Sequence, residues 1–245
     1  MNPKIFVIAT GWNCENYVRR CVNSILTQKY EGEFHLVIIN DGSTDATEKV
    51  CTDFPMDKTT IFHFGENKGA AFRRWEVMNS NTIAPEDVIM LVGLDDELLP
   101  GAFEKVGRQY QDGMWMTYGN WKNQRGIVCT VNLDFDDYIH STRKYRSVQY
   151  RSTAPNTFKK KLILKLREED FMIDGKWVMT CTETNLMYCC LEMCGRNRIG
   201  IIREPIYLYN ENRWDGSILR FTREFKNQVH QNFINRHSKP LYENF

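Results

Sequence analysis

A chain of 245 residues with 42% hydrophobic residues and a formal net charge of +1 is long enough for one sizeable core and hardly for two. Its eight cysteines are scattered without paired Cys-x-x-Cys spacing, which excludes a small disulfide-stapled scaffold and predicts reduced thiols in a cytoplasmic compartment. The near-neutral total hides one imbalance: no acidic residue occurs between Thr142 and Leu166, where basic residues abound.

From the amino terminus, Ile5 to Ala9 is an apolar run of strand length. Asn13 is placed to cap a helix whose apolar residues Val18, Cys21, Val22 and Ile25 share one face. A second strand is expected over Phe34 to Ile39, followed by the turn Asn40-Asp-Gly-Ser-Thr-Asp45 and a helix from Ala46 to Val50. Thr60 to Phe64 reads as a third strand. The loop Gly65 to Gly69 then leads into a helix carrying Phe72, Arg73, Arg74 and Trp75. Val88 to Val92 is a continuous branched apolar run, as in a strand buried on both faces. Asp95, Asp96 and Glu97 follow it, and Pro100 stands where a helix with Phe103, Val106 and Tyr110 begins. Strands alternating with helices predict a doubly wound, mainly parallel sheet in an α/β fold.

After Gln111 the rhythm changes. A strand over Met114 to Tyr118 and a hairpin over Trp121 to Val131, turning at Asn123-Gln-Arg-Gly126, are expected first. An acidic loop at Asp134 to Asp137 comes next, and then the basic segment Arg143 to Lys165, which ends in a helix-like run from Phe158 to Leu166. A loop around Asp174-Gly175, a helix over Thr182 to Met193 and strands at Ile199 to Ile202 and Ile206 to Tyr209 complete this region. A last amphipathic helix carries Ile218, Phe221, Phe225, Val229 and Phe233, a stripe expected to pack on the domain or on a second subunit of a homodimer. The amino terminus enters a strand directly without a cleavable signal, and no apolar run approaches transmembrane length, which leaves peripheral contact as the only route to a membrane.

Carboxyl ends of parallel strands face the crevice where open α/β sheets bind ligands. Thr10, Asp41, Asp95 and Asp96 stand at such ends, with Lys68 and Arg74 flanking the helix after the third strand. Together they suggest a nucleotide-diphosphate site. Asp41 would accept from the N–H of a uracil-like base, and adjacent carboxylates at Asp95 and Asp96 would suit a hard cation, Mg²⁺ or Mn²⁺, bridging to phosphate. Each residue has a bland alternative as a turn cap, a solvated helix charge or a strand end.

Ile5-Phe-Val-Ile-Ala-Thr-Gly-Trp-Asn13 with Glu15 and Tyr17, Ser24-Ile-Leu-Thr-Gln28, Ile39-Asn-Asp-Gly-Ser-Thr-Asp45, Glu66-Asn-Lys-Gly69 and Leu94-Asp-Asp-Glu-Leu-Leu-Pro100 resemble, in order, the nucleotide-binding half of glycosyltransferase family 2. The resemblance spans residues 4 to 111. It implies a GT-A fold, a UDP-sugar or similar nucleotide-sugar donor, a divalent metal and inverting transfer in a single displacement. It places Thr10 and Asp41 at base-binding positions, Arg74 at the basic position after the third strand and Asp95 at the closing aspartate of the metal motif. Where many members carry Asp-x-Asp-Asp, this chain has Gly93-Leu94-Asp95-Asp96, so the first acid is lost.

The remainder resembles the family less. Thr182-Glu-Thr-Asn-Leu186 puts Glu183 at the aspartate position of the family's Glu-Asp-x-x-Leu pattern, which makes it the candidate catalytic base. Its alternative is an ordinary acidic residue in the first turn of a helix. The resulting division is a nucleotide-sugar-binding half at 1–111, an acceptor and catalytic half at 112–213 and a carboxyl-terminal helix at 214–245. For the acceptor, a glycan, glycoprotein or glycolipid, Trp115, Trp121, Tyr138 and Trp177 are candidate stacking platforms, with His140 nearby; large aromatics are more often core, and a lone histidine more often structural. Arg143 and Arg151 belong to a segment expected to close as a mobile loop over donor phosphate. The basic patch carries no recognisable nucleic-acid module. The competing readings are a catalytically silent nucleotide-sugar or glycan binding module and, with less support, a sugar nucleotidyltransferase. The latter, like a dinucleotide oxidoreductase, expects more glycines than Thr10-Gly-Trp-Asn13 provides.

Overall fold

The computed structural model describes residues 2–129, 133–211 and 222–242. Strands β1 (Ile5–Gly11), β2 (Phe34–Asp41), β3 (Thr59–Phe64) and β4 (Val88–Gly93) pair in parallel in the order β3-β2-β1-β4. Ile5 lies opposite Phe34 on one side and Val88 on the other, which brings Thr10 level with Gly93 and Gly11 level with Asn40. That register aligns the carboxyl ends of the strands along one edge.

Side chains alternate across the sheet with period two. Ile5, Val7 and Ala9 join Ile38, Met90 and Val92 on the face covered by α1 (Val18–Leu26) and, beyond the two-residue β5 (Glu97–Leu98), α4 (Ala102–Gln111). Phe6, Ile8, Ile39, Ile89 and Leu91 face the other core, to which α3 (Ala70–Met78) contributes Val77 and Met78. The short α2 (Thr47–Cys51) follows the turn after β2.

Asn13 does not cap α1, which begins at Val18 without a side-chain cap. Its φ is 53°, and its side-chain Oδ1 accepts from the Thr44 amide at 2.8 Å, tying the loop after β1 to the turn after β2. Gly42 in that turn has φ 69°, and a Cβ there would lie 2.4 Å from the Asn67 nitrogen. Glycine is therefore required both by conformation and by space.

The second half adds strands to the same sheet. β6 (Met116–Asn123), β7 (Asn156–Lys159) and β10 (Ile199–Tyr209) extend it in the order β4-β7-β6-β10-β5, with β7 antiparallel to both neighbours. Strands from both sides of residue 111 thus share one sheet. β7 corrects the helical reading of Phe158 to Leu166: only Lys160–Ile163 (α6) is helical, because Thr157 and Phe158 are taken up by ladders on both sides. The two strands expected over 199–209 are one, irregular at Pro205.

The hairpin expected from Trp121 reduces to a turn with a single bridge, Lys122 to Val128; Thr130 and Val131 lie outside the described residues. Within the acidic stretch, Asp136 caps α5 (Asp137–Thr142) by accepting from the Ile139 amide at 2.8 Å. Asp174 and Gly175, both with positive φ, turn the small hairpin β8 (Met172–Ile173) and β9 (Lys176–Trp177).

α7 (Thr182–Met193) packs its flank into the second core. α8 (Arg223–Ile234) buries Val229 and Phe233 against Ala71 and Val178, while Phe225 stays exposed; Ile218 and Phe221 lie outside the described residues. Among the described residues no helix is long and apolar enough to cross a membrane.

Candidate active site

A cleft of about 410 Å³ opens at the carboxyl edge of the parallel strands. Thr10, Asp41, Arg74, Asp95, Asp96 and Glu183 all line it.

Arg74 ties these elements together. Rooted on α3 and buried, it donates from Nε to the Thr10 hydroxyl at 3.3 Å, from Nη2 to the Val92 carbonyl at 3.4 Å and from Nη1 to the Thr182 hydroxyl at 3.4 Å. Nη1 also forms an ion pair with Glu183 at the start of α7. Burial alone would raise the Glu183 carboxyl; the Arg74 charge and hydrogen bond, helped by the Thr182 hydroxyl, outweigh burial and hold it below the usual glutamate value. The carboxylate is therefore ionised at neutral pH.

Asp41 is buried at the end of β2. Its Oδ1 accepts from the Lys68 amide and from Arg73 Nε, each at 3.0 Å, and Oδ2 accepts from the Gly69 amide at 2.7 Å. Of about four lone-pair positions, three are used. Arg73, to which sequence reading assigned no role, is the buried cation beside Asp41 and stacks 3.6 Å over the Phe64 ring centroid. Lys68 contributes its backbone; its side chain is exposed, 4.0 Å from Glu66, and is not among the cleft residues.

Asp96 is held by two donors from β10 and its end: the Tyr207 hydroxyl at 2.7 Å and the Asn210 amide at 2.8 Å. Burial, then the charge of Asp95, push its carboxyl well above the usual aspartate range, against the pull of these two donors. A bound cation would reverse that pressure. A Cβ built on Gly93 would lie 2.6 Å from Asp95 Oδ1 and 2.9 Å from Asp96 Oδ2, so the two carboxylates converge over the glycine. Paired oxygens beside an open cleft fit a hard divalent ion completed by phosphate and water. Among the described residues no group of three or more His, Cys, Asp or Glu side chains is placed to hold a metal.

The other candidates lie elsewhere. Trp115 is buried with Arg198 and Lys161 3.6 and 3.7 Å from its ring centroid and Tyr242 at its edge. Trp177 packs among Phe72, Trp75 and Phe171, and Trp121 against Tyr209. Arg143 donates to the Glu192 and Lys239 carbonyls, and Arg151 donates to the Asp134 carbonyl and sits over Phe135. None of these five is a cleft residue. His140 bonds Asp134 and the Tyr145 hydroxyl, while Tyr138 is exposed. The segment expected as a mobile loop holds a 3-10 turn at Tyr145–Ser147, the central strand β7 and helix α6, and it brings Tyr150, Thr153, Ala154 and Asn156 to the cleft. Its cations are engaged: Arg146 with Glu192, Lys159 and Lys161 with Glu86.

Residues that sequence reading missed include Tyr150, Asn156, Met179, Tyr207, Tyr209 and Lys226. Only Tyr207 and Tyr209 carried a local signal, two tyrosines at strand spacing on one face.

The glycosyl transferase family 2 model matches residues 6–179, well over half of the chain. Glycosyltransferase GlyA of Streptococcus pneumoniae is 40% identical over 184 residues, covering 68% of this chain and 26% of its own length. The teichoic acid poly(glycerol phosphate) polymerase of Staphylococcus epidermidis is 28% identical over 162 residues, 62% of this chain and 21% of its own length. The chain thus spans roughly a quarter of each of these relatives. Among solved structures, S. aureus TarS in complex with UDP-GlcNAc superposes with a TM-score of 0.69 at 15% identity, over 94% of this chain and 65% of that one. The Pyrobaculum calidifontis mannosyltransferase PcManGT, in complex with GDP-Man and Mn²⁺, gives 0.62 at 15% identity, over 98% and 66%. The GT-A fold is shared with both, and with its motifs, its sheet and its matched residues the chain belongs to glycosyl transferase family 2.

Proposed function

We propose that this chain catalyses inverting, metal-dependent transfer of a sugar from a nucleotide sugar, a UDP-sugar, to a hydroxyl of a glycan, glycoprotein or glycolipid on the cytoplasmic side. The observation that carries the reading is the convergence of Arg74 and Glu183 with Thr10, Asp41, Asp95 and Asp96 on one cleft. The eight free thiols agree with a reducing compartment.

Asp41 has one lone-pair position left for a base N–H, and the Thr10 hydroxyl, already accepting from Arg74, has its proton to donate. Asp95 and Asp96 would hold Mn²⁺ or Mg²⁺, which when bound supplies positive charge to the departing diphosphate. The acceptor hydroxyl attacks the anomeric carbon from the side opposite the diphosphate. A new carbon–oxygen bond forms as the bond to phosphate oxygen breaks, its electron pair leaving with UDP, and the hydroxyl proton passes to Glu183. Arg74 orients that carboxylate and keeps it ionised.

Titrating UDP calorimetrically with and without Mn²⁺, in the wild type and Asp95→Ala, tests the donor site: metal-dependent binding that disappears in the variant supports it, and no binding in either condition overturns it. Glu183→Gln should lower kcat by about 10²–10⁴-fold while sparing donor binding. Near-normal turnover in that variant would sink the assignment of the base.

A further inference from the structure

The loss of an acid at Gly93 and the way Asp96 is held are two sides of one arrangement. The Tyr207 hydroxyl lies between the end of β4 and the carboxylate: it accepts from the Gly93 amide at 3.1 Å and donates to Asp96 Oδ2 at 2.7 Å. Tyr207 is buried, and the sheet fixes its place, since it pairs with Leu98 of β5 in the antiparallel ladder. The Asn210 amide, just past the end of the same strand, holds Oδ1 at 2.8 Å. Both oxygens of Asp96 are therefore oriented from β10, more than a hundred residues away, and not from their own turn.

This orientation uses the volume that a side chain at position 93 would fill. A Cβ there would come within 2.6 Å of Asp95 Oδ1 and 2.9 Å of Asp96 Oδ2. Such contacts are relieved cheaply only if the carboxylates swing aside. Asp96 cannot do so without breaking hydrogen bonds in a buried site, where an unpaired charge is costly.

We propose that Tyr207 is a positioning residue that fixes the Asp96 carboxylate for a divalent cation, and that Gly93 is the space this arrangement requires. The inference rests on the donor-site reading above. Outer-shell hydrogen bonds to metal-ligating carboxylates change metal affinity by roughly 10–100-fold. It follows that adding an acid at position 93 weakens the site, because its Cβ would push aside both carboxylates that converge there.

The test is Mn²⁺ binding to the full chain in the presence of UDP, followed by the electron paramagnetic resonance of free Mn²⁺, for the wild type, Tyr207→Phe, Gly93→Ala and Gly93→Asp. Tyr207→Phe keeps the ring and removes only the hydroxyl. All three variants should bind Mn²⁺ at least ~10-fold more weakly. In Tyr207→Phe, transfer should recover as Mn²⁺ is raised, a split between activation constant and kcat that a purely structural defect does not produce. Wild-type Mn²⁺ affinity in Tyr207→Phe would overturn the positioning role alone, and tighter binding in Gly93→Asp would overturn the part given to Gly93. Wild-type UDP binding that is indifferent to metal would overturn both this role and the metal dependence, leaving the nucleotide site standing; no UDP binding at all would overturn the donor reading and this role with it.

Discussion

Arg146 lies in the basic segment assigned from sequence to donor phosphate, yet the structure buries it in an ion pair far more demanding than a surface clamp. Nε and Nη2 meet Glu192 Oε1 and Oε2 at 2.5 and 3.0 Å, and Nη1 donates to Asn185 Oδ1 at 2.8 Å and to the Phe233 carbonyl at 2.5 Å. The Glu192 side chain is wholly buried, and its Oε2 also accepts from the Lys239 amide at 3.0 Å. Arg146 thus clamps α7, the carboxyl-terminal end of α8 and the following segment to one another. Arg146→Met removes the guanidinium and leaves a buried carboxylate with the Lys239 amide as its one remaining partner among those described here. Breaking a buried pair from one side costs about 3–5 kcal/mol. At about 2–4 °C per kcal/mol for a chain of this size, Tm should fall by roughly 6–20 °C. Replacing both partners, Arg146→Met with Glu192→Leu, should recover most of that loss, since a well-packed apolar pair is often as stable as a buried ionic one. Urea and thermal unfolding of the wild type, both single variants and the double variant supply the cycle. A loss under about 1 kcal/mol in Arg146→Met would place this pair with exposed salt bridges and refute the reasoning, as would a double variant no more stable than the single.

Two further outcomes follow from the same structure. In Arg74→Met the burial of Glu183 is opposed only by the Thr182 hydroxyl and a backbone N–H, so its carboxyl should titrate higher than in the wild type and the acid limb of the kcat–pH profile should move to higher pH; an unmoved limb would refute the role given to Arg74. His230, packed against Tyr150 and Tyr188, is held below its ordinary value of 6.5 by burial. A depressed histidine contributes stability that is present above pH 6.5 and is lost as pH falls through its lower folded-state value. His230→Gln should therefore flatten the acid side of the stability–pH curve, and a curve unchanged by the substitution would count against this account.

What could be read without the structure was whatever neighbours in sequence decide. The apolar runs from Ile5 and Val88 announce strands buried on both faces, and the spacing of Val18, Cys21, Val22 and Ile25 announces the buried face of α1. The turn Asn40 to Asp45 carries its own glycine and hydrogen-bonding side chains, so Asp41 was placed correctly at a strand end. Tertiary structure decided the rest, because a short strand draws its hydrogen bonds from other strands and a charge does not name its partner. Thr157 and Phe158 became a central strand only because β4 and β6 lie on either side of them. Arg146 was claimed by Glu192, Lys159 and Lys161 by Glu86, Arg151 by the Asp134 carbonyl, and Trp115 by the core. Arg74 meets Glu183 across 109 residues, and Tyr207 meets Asp96 across 111. Such pairs exist only once the sheet has closed. The sequence alone determined at which edge of that sheet the candidate residues would stand; folding determined which side chains face each other across it.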